Sequence, residues 1–178
     1  MASYGEGDLE RAKLYKLFSA LFMQEPTDEM ALQIKNMFKM TFDDTTYEIR
    51  MDFARLFSIT AGHLPPHESL YNYPLADKPR LWGKATEEVQ NFYESVGLMI
   101  YEEMDLIPDH LSAELFFMNY LIEQGLIDYQ MSFFEKHLLS WVPEYCVEIK
   151  KHAQTTFYKE VAELLKEFIL SDSEEFGI

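Results

Sequence analysis

Apolar residues recur at helical spacing along most of this chain, and no stretch alternates with a convincing period of two. From Asp8 to Met23 they are Leu9, Ala12, Leu14, Tyr15, Leu17, Phe18, Leu21 and Phe22. That spacing suits packed helices and argues against a half-buried sheet. The starts and stops agree with it. Asp8 can cap the first helix, Pro26 ends it, and Thr27 can open a second carrying Met30, Leu32, Ile34, Met37 and Phe38. Thr45 with Glu48 fits a capping box for a third helix, and Gly62 can supply its left-handed C-cap. A fourth helix is expected near Thr86 and ends by Gly97. Another is expected from Asp109 to Gly125, with Asp109 as its cap and Leu111, Leu115, Phe116 and Met118 as core. A further one spans Ile127 to Leu139. After Trp141-Val142-Pro143 a last long helix is expected to about Leu170, followed by a frayed acidic tail. The expectation is an all-α fold, a single globular domain over residues 1–178 with seven to nine helices.

One segment breaks the pattern. Four of the seven prolines (Pro65, Pro66, Pro74 and Pro79) fall between His63 and Trp82. Proline removes a donor and disfavours helix in the residue before it, so a long loop is expected there. Loops of that length in compact domains are usually functional or disordered. Its aromatics Tyr71, Tyr73 and Trp82 imply that it packs onto something.

The formal net charge is −16. It disfavours nucleic acid and anionic membranes as partners and favours basic ones. No apolar run approaches the roughly 18 residues of a membrane span, and the polar, acidic start MASYGEGDLERAK is not a signal peptide. The location expected is cytoplasmic. Cys146 is the single cysteine, so no intrachain disulfide forms, and among apolar and acidic neighbours it reads as a buried small residue.

Enzyme readings find little support. No Glu-x-x-His pair supplies a di-iron bundle. His110 with Glu114 and Glu148 with His152 share helix faces, as solvated pairs commonly do. His63 and His67 are separated by Pro65 and Pro66. Ser69 and Ser112 lack a nucleophile elbow, and no glycine-rich phosphate loop occurs. A metal-dependent enzyme built on His63, His67, His110 and His137 stands as the alternative from another class. The expectation is no catalysis, no metal and no cofactor.

Four stretches carry a resemblance. They are Phe53-Ala54-Arg55-Leu56-Phe57; Pro65-Pro66-His67-Glu68-Ser69-Leu70-Tyr71; Pro108-Asp109-His110-Leu111-Ser112-Ala113-Glu114-Leu115-Phe116-Phe117-Met118; and Phe134-Glu135-Lys136-His137-Leu138-Leu139-Ser140-Trp141-Val142-Pro143. In type and order they resemble the motifs of the TorD/DmsD/NarJ family of molybdoenzyme assembly chaperones. The resemblance implies an all-helical cytoplasmic chaperone. Such a protein binds the twin-arginine signal peptide, or N-terminal segment, of a molybdopterin-containing oxidoreductase subunit until its cofactor is inserted. A NarJ-like factor for a subunit that is not exported is the nearer alternative. The peptide-binding positions implied are Glu68, Ser69, Tyr71, Trp82, Asp109, His110, Glu114, His137 and Trp141. The resemblance also implies a monomer or a domain-swapped dimer, with the loop of about 62–82 as the hinge.

The chemistry of such a peptide agrees. Guanidinium groups bind best to carboxylates in bidentate pairs, and Glu68, Asp109 and Glu114 are the carboxylates on offer. Leu70, Tyr71, Trp82, Leu111 and Trp141 are expected to form part of an adjoining apolar groove. His67, beside Glu68, is a residue through which pH could act on affinity.

Overall fold

The structure, a computed structural model, describes residues 6–60, 62–100 and 105–178. Among the described residues eight α-helical segments follow one another: α1 (Glu6–Met23), α2 (Asp28–Phe38), α3 (Thr46–Phe57), α4 (Lys84–Ser95), α5 (Leu111–Glu123), α6 (Ile127–Phe133), α7 (Leu139–His152) and α8 (Thr156–Phe176). A π turn, Phe134–Leu138, joins α6 to α7 as one rod, and a single 3₁₀ turn, Glu68–Leu70, lies in the proline segment. Among the described residues there is no strand, and the one isolated bridge pairs His67 with His110.

Local chemistry accounts for these boundaries. Thr27 accepts from the Met30 amide at 3.2 Å. Thr45 and Glu48 form the full capping box, with the Thr45 amide donating to Glu48 at 2.7 Å. The helices then bury one face each. α1 lies along α5 and α7 along α8, and Tyr15, Phe18, Leu111, Leu115, Met118, Val142, Ile149 and Leu165 are all within 1% of full burial. Cys146 is buried among them, and burial pushes its thiol up, away from any nucleophilic role.

Several boundaries differ from expectation. The first helix starts at Glu6, so Asp8 lies inside it rather than at its cap. Gly62 is not left-handed; α3 ends at Phe57, and a Cβ on Gly62 would meet the Ser58 carbonyl oxygen at 2.2 Å. The glycine serves close approach of the chain to itself. The helix expected to begin after Pro143 already contains it, and the break falls instead at Ala153-Gln154-Thr155. There Asp52 accepts from the Gln154 amide (2.9 Å), the Thr155 amide (2.8 Å) and the Thr155 hydroxyl (2.7 Å). A buried carboxylate that satisfies orphan amides at an α8 start decides the break more strongly than one proline does. The tail does not fray. α8 continues to Phe176, and buried Asp172 accepts from Arg11 (2.6 and 3.1 Å) and from Tyr15 (2.5 Å) on α1.

Candidate functional site

The proline segment is held by α7, by the turn that leads into α5 and by one of its own side chains. Tyr145 donates to the Leu64 carbonyl (2.7 Å) and Tyr71 to that of Pro65 (3.0 Å), so carbonyls next to prolines find partners. The bridge between His67 and His110 adds backbone bonds from Glu68 to Asp109 and from Leu111 to Pro66, at 2.9 and 2.8 Å. Asp109 completes the fastening. One of its carboxylate oxygens accepts from the Ser69 amide at 2.8 Å and the other from the Thr86 hydroxyl at 2.9 Å. The expected cap at Asp109 therefore moves one residue on. His110 is the N-cap of α5, its Nδ1 accepting from the Ser112 amide at 3.1 Å, because both Asp109 oxygens are engaged elsewhere.

A second buried group lies behind the 3₁₀ turn. Glu68 bonds His137 at 2.8 Å through one oxygen and Asn72 at 2.6 Å through the other. His137 reaches it from the π turn, where the widened helix re-aims the side chain. Glu114, hydrogen-bonded to Glu68, also accepts from the Trp141 indole at 3.1 Å. Burial, and then the charge of Glu68, hold the Glu114 carboxyl well above the usual range. Its Oε1 meets no donor. A neutral acid resolves that, because its proton is then the donor toward Glu68. Tyr71 stacks on Trp141 with centroids 5.5 Å apart and planes 9° from parallel.

The sequence-predicted positions thus divide. Glu68, Ser69, Asp109, Glu114, His137 and Trp141 meet in one buried network, none more than 2% exposed. The guanidinium-binding surface expected of Glu68, Asp109 and Glu114 is therefore not where the structure puts them, since each carboxylate is enclosed by partners from its own chain. Leu111 and Trp141 are core rather than groove for the same reason of burial. Tyr71 and His110 are half-buried. Trp82 is 61% exposed, with a left-handed backbone (φ 58°) beside Gly83, which packs close to Ser69. Such a conformation is uncommon for a bulky residue and recurs at functional sites.

The histidines fall into three places. His67 stands edge-on to His110 (4.9 Å between centroids), His63 lies beside His152 (4.6 Å), and His137 binds Glu68. Among the described residues no three His, Cys, Asp or Glu side chains are grouped as metal ligands. Burial lowers both members of the first pair, His110 to about 3 with the neighbouring His67 adding to the effect, so both rings are neutral near pH 7.

Sequence reasoning missed two members of the network, Asn72 and Thr86. Thr86 on α4 meets Asp109 across 23 residues, which no local spacing signals, and Asn72 stands four residues after Glu68, a spacing that signals contact only in a helical turn, which the prolines there argue against. It also missed an apolar cleft of about 480 Å³ between α1 and α5, walled by Met23, Met99 and Phe116 among others. Phe116, expected in the core, is 51% exposed there. A polar cleft of about 570 Å³ opens over His137 and Asn72.

The helical frame is similar to that of a putative redox enzyme maturation protein. That solved structure, from Archaeoglobus fulgidus, superposes with a TM-score of 0.60 at 21% identity, over 89% of this chain and 93% of the other. At that identity the likeness is one of fold. The chain belongs to the nitrate reductase delta subunit family, whose sequence profile matches residues 16–147. Among its relatives is the chaperone protein TorD of Psychrobacter sp. (strain PRwf-1), 28% identical over 89% of this chain and 76% of that one. Another is the chaperone protein TorD of Shewanella pealeana, 24% identical over 94% and 90%. No helix among the described residues is long and apolar enough to cross a membrane.

Proposed function

We propose that this protein is a cytoplasmic assembly chaperone. It binds the N-terminal twin-arginine leader of a molybdopterin-containing oxidoreductase subunit and holds it until the cofactor is inserted, before export. The observation that carries the reading is the convergence of three of the four motif stretches on one network, Asp109–Ser69–Thr86 and Glu68–His137–Glu114–Trp141. It fixes the proline segment against α5 and α7 as a rigid platform, in a protein whose charge of −16 suits a basic client. The buried residues act as positioning groups, while Tyr71, Trp82 and His110 have surface to offer a peptide.

Calorimetry with a synthetic twin-arginine leader tests this. Binding is expected, weakened when the arginine pair becomes Lys-Lys and more so when it becomes Ala-Ala, because a point charge replaces a bidentate fork and then nothing does. Absence of binding to any leader encoded beside this gene would reject the client. A second reading is a client reductase subunit that is not exported, and the family's description, that of a reductase subunit, keeps a reductase client in both readings; binding to the N-terminus of such a subunit in place of a twin-arginine leader would select it.

A further inference from the structure

The apolar cleft between α1 and α5 has a neighbour. A second cleft of about 320 Å³ contains Phe22, Phe53, Phe57, His67, Asp105 and His110. The two share Met23 and Leu106 as walls, so they form one trough divided by those side chains. Its two ends differ in charge. Lys16 is the charged residue lining the first cleft, and Asp105 the charged residue lining the second. Asp105 is exposed and held at φ 47°, and it closes the sequence run Glu102-Glu103-Met104-Asp105. The His67 ring is 3% exposed, and its Nδ1 has no hydrogen-bond partner.

We propose that this trough seats the client leader in one direction, its guanidinium end against Asp105, His67 and His110 and its apolar stretch against Met23, Met99 and Phe116. The proposal rests on the leader-binding function above. A cation is suited to the second cleft, whose lining holds a carboxylate, two uncharged imidazoles and three phenylalanines, and no cationic side chain. The same cation at the other end would meet Lys16. Met23, Met99 and Phe116 are 48, 64 and 51% exposed, so the first cleft presents apolar surface to solvent. Methionine accommodates apolar partners of varied shape, which suits leaders of varied sequence. A second copy of this chain is a poor occupant, because each copy carries −16 and the charged residue of the second cleft is Asp105. The C-terminal segment is not free to fill it, being tied to α1 through Asp172.

The test uses the full chain and a twin-arginine leader, with circular dichroism confirming each variant's fold. Phe116→Asp is expected to weaken binding by about tenfold or more, and to have little effect on a leader lacking its apolar stretch. Asp105→Lys is expected to weaken the Arg-Arg leader but not the Ala-Ala leader. Tyr47→Asp, on the exposed face of α3 and 72% exposed, should leave both unchanged. A photo-reactive residue placed before the arginines should crosslink near Ile107, and one in the apolar stretch near Tyr120. The exchanged crosslinking pattern overturns the direction. Tight binding by the wild type with neither Phe116→Asp nor Asp105→Lys affecting it overturns the trough and leaves the function intact. Failure of the wild type to bind any leader rejects the function itself. A concentration-dependent dimer broken by Phe116→Asp, with leader binding unchanged, assigns the trough to a second copy and overturns the proposal.

Discussion

Glu114 shows how far burial changes a residue's role. On a solvated helix it would be an anion ready for a guanidinium. Fully enclosed, with the charge of Glu68 beside it, its carboxyl is pushed well above the usual range, and its Oε2 accepts from Trp141. A carboxyl whose folded value is raised binds its proton more tightly in the native state. Its contribution to stability is therefore full below the ordinary carboxyl range and is lost as pH rises toward the folded value. Glu114→Gln keeps a donor toward Glu68 and an acceptor for Trp141 without a titrating group. Denaturant unfolding of the two proteins between pH 5 and 8 should show the variant gaining on the wild type as pH rises, by up to about 1.4 kcal/mol per pH unit. Parallel curves would mean that Glu114 is ionised in the fold. His67 and His110 act in the opposite sense, losing stability as pH falls below the ordinary imidazole value, but both proteins share them, so the difference between the two curves isolates Glu114.

At the scale of elements, the helices are joined by buried side-chain hubs at their ends. Asp52 on α3 is the clearest, accepting from the Gln154 and Thr155 amides and from Arg55, which itself donates to the His152 carbonyl at 2.6 Å. One residue of α3 thereby closes the α7–α8 turn. Asp52→Ala leaves two amides, a hydroxyl and a guanidinium short of an acceptor. A loss of about 3 kcal/mol or more is expected in urea unfolding, well beyond that of Thr45→Ala at the exposed capping box, which should cost about 1 kcal/mol. Equal effects would mean that water replaces Asp52. The hub also explains a legible and an illegible boundary. Thr45 and Glu48 cap locally and could be read from three-residue spacing. The α8 start has a local cap, Thr155 accepting from the Tyr158 amide at 3.4 Å, but it is also held by a carboxylate about a hundred residues earlier, which no local pattern reveals.

Across the whole molecule, the two ends of the described chain meet. Arg11 and Tyr15 on α1 hold Asp172 near the end of α8, and Arg11 also lies 5.1 Å from the Phe176 ring centroid. Deleting residues 171–178 should therefore cost about 2–4 kcal/mol, because it strands a buried tyrosine hydroxyl and an arginine. Asp172→Ala should reproduce much of that loss in thermal or urea unfolding, whereas Glu174→Ala, on the exposed side, should not. An unchanged midpoint on truncation would restore the frayed tail that composition suggests. The same closure supports the trough between α1 and α5, since α1 is clamped to α8 on its far side.

The helical class, most helix positions and the motif residues that gather at the proline segment are legible in the chain's order of residues, because they depend on periodicity and on contacts within a turn or two. The core stripe Leu111, Leu115, Met118 was legible for that reason, as was the irregular segment from His63 to Trp82. Only the tertiary structure decided which polar residues face inward. Asp109 became a fastening for Ser69 and Thr86 instead of a cap, Glu68 and Glu114 came to share a buried site instead of a surface, and Phe116 came out of the core to border a cleft. Burial is set by where distant segments pack, and it is burial that turns the same carboxylate from a ligand for a basic peptide into a support for the surface that binds one.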